Sequence, residues 1–309
     1  MKKIIIILTL LTVLFAQELK KVGTTGFVFL ELPTSARLSG MGDAGTTISD
    51  LNSQALFVNP SLAGFQDVTH SISFSFSPWL AETKHYVTSY SYHNSVFGTL
   101  SFGFILLDFG SMDKTVRIPG QRIYDKIGTF SAQSSALSVG YSRAITDKFS
   151  FGLALKYVNE KIDTYSADNI LFDGGFIYWT GIGSLRVAGT LQNFGTNTTF
   201  NNKDFRMPIL MKIGLAYDLL KNDDYQLSLF TDAIHPTDNT EKVNSGFEFS
   251  YSNMLFLRAG YKFNYDEESF TFGLGVKPTT SYPVSFDVSY TDFGRLNNVL
   301  RFNLQVGLQ

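Results

Sequence analysis

The stretch SFTFGLGVKPTTSYPVSFDVSYTDFGRLNNVLRFNLQVGL, residues 269–308, decides the fold. Phe270, Phe272, Leu274 and Val276 alternate with small residues. The same pattern returns in Val284, Phe286, Val288 and Tyr290, and in Leu300, Phe302, Leu304, Val306 and Leu308. Period two places one set of side chains on each face of a strand. The breaks between the segments hold Pro, Asn, Gly and Asp, as turns require.

Working outward, the pattern extends back to about residue 70. It predicts fourteen strands, near 70–78, 84–93, 97–108, 134–144, 147–161, 169–180, 183–194, 207–219, 224–233, 242–251, 253–263, 269–277, 283–292 and 298–308. The even count, segments of about ten residues, and connections that alternate between short and long predict an all-β, transmembrane antiparallel β-barrel. The short connections fall at His93 to Val96, Ala144 to Asp147, Thr180 to Gly183 and Tyr251 to Asn253. The longer ones, read as outer loops, include Gly110 to Gln133, Asp163 to Asp168, Phe194 to Arg206 and Ile234 to Glu241. Trp79, Tyr92, Trp179, Tyr217, Tyr251 and Tyr290 stand near strand ends, where aromatic girdles are expected. A soluble β-sandwich also alternates, but its strands need neither this length nor these girdles.

Composition agrees with a sheet facing lipid: 29 Phe, 15 Tyr and 26 Gly, only 17% charged residues, and no Cys, so no disulfide. A net charge of −2 argues against nucleic acid as a partner. Residues 1–16 read as a signal peptide, with Lys2 and Lys3, an apolar run from Ile4 to Phe15, and Ala16 at the cut. The expected location is the bacterial outer membrane, with outer-membrane lipid as a partner.

The wall carries charges on the parity opposite to the apolar set: Lys156, Glu160, Asp173, Arg186, Asp232, Glu248, Arg258, Asp287 and Arg301, with Lys212, Asp218 and Lys262. These form a candidate lumen network, either paired for structural reasons or lining a polar channel. Val158, Ile177, Phe230 and Phe256 are candidates for part of a greasy conduit. Residues 17–66 lack the alternation and read as an N-terminal hatch with little helix inside the barrel. Ser35 is a candidate helix cap, and Asn59, Pro60 and Leu62 are candidate gating residues, Pro60 suiting a first helical position. Residues 67–309 then make the barrel.

Motifs for chemistry are weak. Gly40, Gly42 and Gly45 match G-x-G-x-x-G, but Pro33 precedes them and no βαβ unit follows; close backbone packing in a narrow lumen explains them better than a dinucleotide cofactor. His85 and His93 lie about 26 Å apart on one strand, too far to share a metal. His70 and His235 stand at strand ends. No G-x-S-x-G occurs, and nothing sets a Ser beside a His. No catalytic, cofactor or metal residue is expected, and the protein is read as a non-enzyme.

The chain resembles the PorV/PorQ outer-membrane proteins, themselves similar to FadL-type fourteen-stranded barrels with a hatch. The resemblance is carried by FLELPTSARLSGMGD at Phe29 to Asp43, Asp50, and Asn59-Pro60 with Leu62 and Ala63. Further on it is carried by Gly128 to Ala132, Leu155-Lys156-Tyr157 with Glu160-Lys161, Tyr165-Ser166-Ala167, Phe172-Asp173, Gln192 to Gly195, and Leu257 to Tyr261. Ser61 and Asp43 depart from the pattern. The resemblance implies an accessory role in type IX secretion or surface assembly, with a translocon or cargo protein as partner. Such a partner would meet the outer loop 110–133, at Lys114, Arg117, Arg122 and Tyr124. The alternative it implies is a FadL-like transporter of hydrophobic small molecules across the outer membrane.

Overall fold

In the computed structural model, residues 23–120 and 123–309 are described. The expected signal peptide (residues 1–16), the first residues of the expected hatch (17–22), and Arg122 lie outside the described residues. Strands β1 (His70–Pro78), β2 (Lys84–Asn94), β3 (Gly98–Arg117), β4 (Tyr124–Ala144), β5 (Phe149–Ile162), β6 (Tyr165–Trp179) and β7 (Arg186–Phe194) form the first half of the ring. A small hairpin follows, β8 (Thr198–Phe200) and β9 (Lys203–Phe205). The ring resumes with β10 (Leu210–Lys221), β11 (Tyr225–Pro236), β12 (Lys242–Tyr251), β13 (Leu255–Phe263), β14 (Phe270–Val276), β15 (Val284–Thr291) and β16 (Val299–Leu308). Each ring strand pairs antiparallel with its neighbours, and β16 closes on β1 with Phe74 opposite Leu304. Closure leaves no edge unpaired, which is what lets a sheet sit in hydrocarbon. The fourteen-strand barrel expected from the alternation is the fold.

The alternation sets the two faces. Phe102, Leu153, Leu215, Phe272, Leu274 and Leu304 are exposed on the outside, while their chain neighbours are buried inside. The outside is thus an apolar band, where a charge at mid-depth would cost about 2–4 kcal/mol. The end carrying His70 and Leu308 is the periplasmic one in barrels of this kind.

Three sequence expectations need correction. Residues 110–133 are not a loop: β3 and β4 run on past the ring as a free two-stranded ribbon, ending near Arg117 and Tyr124. The pairing of β2 with β3 stops at Asp108, and that of β4 with β5 at Ala132, so the ribbon has no other strand beside it. Bulges between Asp108 and Ser111 and between Lys114 and Thr115, with Gly110 at φ 68°, shift the parity within the strand. A period-two reading loses the strand at such a step. Similarly, the connection at Asp163 is a tight turn, because β6 begins at Tyr165. Finally, the two tryptophans are not girdle residues. Trp79 packs edge-on against Phe293 and under Arg301, and Trp179 packs against Phe65 of the hatch. They pack against lumen-side residues, whereas Tyr92, Tyr217 and Tyr251 do face outward.

Candidate functional site

The described hatch begins at the outer mouth, where the Gly26 amide donates to the Arg206 carbonyl and Thr25 Oγ1 donates to Asp238. It then fills the lumen. Its regular structure is slight: helix α1 (Ala36–Ser39), helix α2 (Ala55–Val58), and 3-10 turns at Val28–Glu31, Asn52–Gln54 and Pro60–Phe65. A buried chain this irregular must find partners for its peptide groups elsewhere. The barrel wall supplies them. Thr99 Oγ1 donates to the Ala63 carbonyl at 2.7 Å, Ser150 Oγ to Ser61 at 2.7 Å, and Gln192 Nε2 to Phe57 and Val58 at 2.9 and 2.7 Å. Ser142 Oγ donates to the Pro60 carbonyl. The many lumen serines are therefore small enough to admit the hatch and polar enough to satisfy it.

Asn59 is the central tie. Its Nδ2 donates to the Thr46 and Phe176 carbonyls at 3.1 and 3.2 Å, while its Oδ1 accepts from the Ser61 amide and hydroxyl. Pro60 occupies the first position of the turn that Asn59 caps, and Leu62 is wholly buried below it. Ser35 flanks α1 but makes no capping bond. Asn59→Ala removes all four bonds at a site without water access. A loss of about 2 kcal/mol or more in stability is expected, read as a lowered urea midpoint.

The glycines at 40 and 42 cross the wall where it too is glycine. A Cβ built on Gly246 would meet Met41, one on Gly260 would meet the Gly42 amide and the Met41 carbonyl group, and one on Gly40 would meet Gly273. Gly42 itself has φ 66°. Here backbone lies on backbone, which only a missing side chain allows. The dinucleotide-like spacing is a packing seam.

The predicted charges divide into separate groups. Glu248, Arg258 and Asp287 come together from β12, β13 and β15: Arg258 Nε donates to Glu248 Oε2 at 2.6 Å, and Nη1 to Asp287 Oδ1 at 2.7 Å. Arg37 of α1 completes them, with a two-pronged contact to Glu248 at 2.9 and 2.8 Å and another to Asp50 at 2.9 Å. Lys156 and Asp173 pair at 2.6 Å, and Lys156 also donates to Asn193. Arg186 pairs with Asp218, and Asp232 accepts from the Thr46 amide and hydroxyl of the hatch. Arg301 meets Ser39 and His85 instead of an acid. Glu160 stands apart near the outer end of β5, in no ion pair among the described residues. Lys262 binds Asp43 and Glu268.

Sequence reasoning missed Arg37, the link between hatch and wall. It is the one charge between Leu32 and Gly42, and a charge in an enclosed stretch needs a partner. The four histidines are not brought together: His70 contacts Tyr90, His93 contacts Thr99, His235 contacts Glu241, and His85 contacts Arg301. Lys114, Arg117 and Tyr124 lie exposed on the ribbon. Lys114 is paired with Asp163, and Arg117 stands across from Tyr124.

Among the described residues, a cavity lies on each side of the hatch, and the two share no lining residue. The periplasmic one, about 360 Å³, is polar and includes Arg37, Asp50, Arg186, Glu248, Arg258 and Asp287. The outer one, about 220 Å³, has a mixed lining: Leu30, Leu32, Phe57, Ile105 and Ile234 are interspersed with charged side chains, among them Glu31, Asp43, Lys156, Lys212, Lys242, Lys262 and Glu268. Of the four residues expected to line a greasy conduit, Val158 and Ile177 are instead packed in the clusters around the hatch, and Phe230 both packs there and lines the periplasmic cavity. Phe256 lines the periplasmic cavity.

Glu31 lies at the hatch tip beside the outer cavity. Burial first, and then the neighbouring Asp238 carboxylate, push its carboxyl up to about 7 from 4.5. A raised carboxyl favours the folded state when protonated. This contribution is therefore complete below about pH 4.5 and lost as pH rises through about 7. The hatch tip should release at lower urea at pH 8 than at pH 5, and Glu31→Gln should remove the difference.

No protein-family model and no curated protein matches the chain. Solved structures do. The Ralstonia pickettii toluene transporter TbuX aligns with TM-score 0.58 at 12% identity, over 90% of this chain and 98% of that one. The Pseudomonas putida toluene transporter TodX aligns with TM-score 0.58 at 12% identity, over 88% and 96%. A Pseudomonas aeruginosa FadL homologue aligns with TM-score 0.55 at 11% identity, over 90% and 99%. At such identities the likeness concerns fold. Together with the closed ring and its apolar outer band, it makes this chain an outer-membrane β-barrel of the FadL-like fold.

Proposed function

We propose that this barrel passes small hydrophobic molecules across the outer membrane, with the hatch as its gate. The supporting observation is the cavity on the outer side of the hatch, where Leu30, Leu32, Phe57 and Ile105 offer apolar contact within an otherwise charged lining. The similar folds include proteins described as toluene transporters, which fits this reading. An open porin would not fill its lumen with a hydrogen-bonded hatch. In cells deleted for the protein, uptake of a labelled monoaromatic compound should fall to background and return on complementation. Unchanged uptake would reject the proposal.

A second reading, an accessory role in secretion or surface assembly, rests on the ribbon of β3 and β4. Its exposed residues include Val116, Tyr124 and Ile127 beside Arg117 and Lys126. Affinity capture with the ribbon, residues 109–131, replaced by a short turn tests it. If the same translocon or cargo protein is recovered with and without the ribbon, or none is recovered at all, this reading fails.

A further inference from the structure

We propose that the wall beside α1 holds a small monovalent anion of chloride type, bound by Arg301. This site is separate from both cavities. Arg301 is 2% exposed, yet no carboxylate among the described residues pairs with it. Its two hydrogen bonds run from Nε to Ser39 Oγ at 3.2 Å and from Nη1 to His85 Nδ1 at 3.1 Å, and its guanidinium lies over Trp79. A guanidinium carries five donors and a fixed charge, so a buried one needs a negative partner. Asp43 and Glu268 bear on it only from beyond contact, and both are held by Lys262.

The surroundings are a second observation, independent of the charge. Ser35 Oγ, Ser75 Oγ, His85 Nε2, Ser289 Oγ and both polar atoms of the Asn303 amide are buried without hydrogen-bond partners. They share one sector of the wall. Arg301 lies across from Ser289, Asn303 lies across from Ser75, and His85 belongs to the next strand. Opposed residues on paired strands are about 5 Å apart, so these groups form one patch of the lumen wall around Arg301. Ser35 stands at the foot of α1, which packs on β14, β15 and β16.

Chemistry then selects the sign of the ligand. His85 Nδ1 accepts from a charged guanidinium, so the ring is neutral with its proton on Nε2, and that N–H is one of the unpartnered donors. The three serine hydroxyls and the Asn303 amide nitrogen donate as well. An acid does stand nearby, since Asp287 lies across from Asn303, but Arg258 neutralises it. Apart from Asn303 Oδ1, these unpartnered atoms are donors, and donors around an unpaired cation fit a small anion.

Crystals of the detergent-solubilised protein, grown in sodium bromide, test this through the anomalous scattering of bromine. A peak within hydrogen-bond distance of the Arg301 guanidinium supports the proposal. Ordered water there with no anomalous signal overturns it. In solution, the melting temperature of the native protein should rise saturably with chloride, compared with isethionate at equal ionic strength. Arg301→Gln should be blind to the exchange, and Arg301→Lys should keep part of the response. Should Arg301→Gln fail to fold, the native protein decides alone: equal melting temperatures in the two salts overturn the proposal.

Discussion

Gly260→Val should free the hatch from a barrel that still closes. Valine suits a strand, and the pairing of β13 with β12 and β14 does not depend on what lies in the lumen. Position 260, however, faces the Met41-Gly42 peptide, and a Cβ there would occupy the place of the Gly42 nitrogen. Backbone cannot turn aside as a side chain does. The expected cost to hatch docking is about 3 kcal/mol or more, at the upper end for overpacking. Limited trypsin digestion reads it directly, because Arg37 is shielded in the native protein. Cleavage at Arg37 should appear in the variant, along with larger single-channel conductance in planar bilayers. A variant as protected as the native chain would show that the glycine seam does not hold the hatch.

Arg258→Met should rank next. It strips Asp287 of its ion pair and leaves Glu248 to Arg37 alone, in a place where neither acid reaches bulk water freely. Removing one member of a buried pair costs about 3–5 kcal/mol, chiefly through the charge left behind. The remedy follows from the same physics. Arg258→Met combined with Asp287→Leu replaces the pair with apolar side chains and should recover at least half of the loss in urea unfolding. If the double variant is less stable than the single one, the stranded Asp287 charge is not the source of the defect.

The fold was legible in the sequence wherever strands keep strict parity. Residues 269–308 show this: lipid demands an apolar side chain at every second position and the lumen forbids it at the others. Legibility failed at the ribbon because Gly110 and two bulges reset the parity within a strand. It failed at Trp79 and Trp179 because position near a strand end does not say whether an aromatic faces lipid or packs on the lumen side. Within the candidate site, Asn59 and Pro60 were readable from local turn chemistry. Arg37 was not, since the hatch has no period to assign a face. The lumen serines looked like neutral spacers in the alternation. Their second task, donating to hatch carbonyls, depends on contacts between residues as distant as Ser142 and Pro60.

The seam between β1 and β16 joins the two ends of the barrel sequence, and the hatch is fastened to it. Gln54 Nε2 donates to Gln305 Oε1 at 2.8 Å, and Ser39 accepts from Arg301. In chain order, the ring's final strand β16 thus shuts the ring and clamps a segment that precedes the ring's first strand. Pairing across so long an interval is slow, because the chain entropy between the partners must be lost first. Hatch docking and ring closure share the same contacts at this seam. A chain halted before Val299 has neither clamp nor seam, so it loses hatch and closure in the same event.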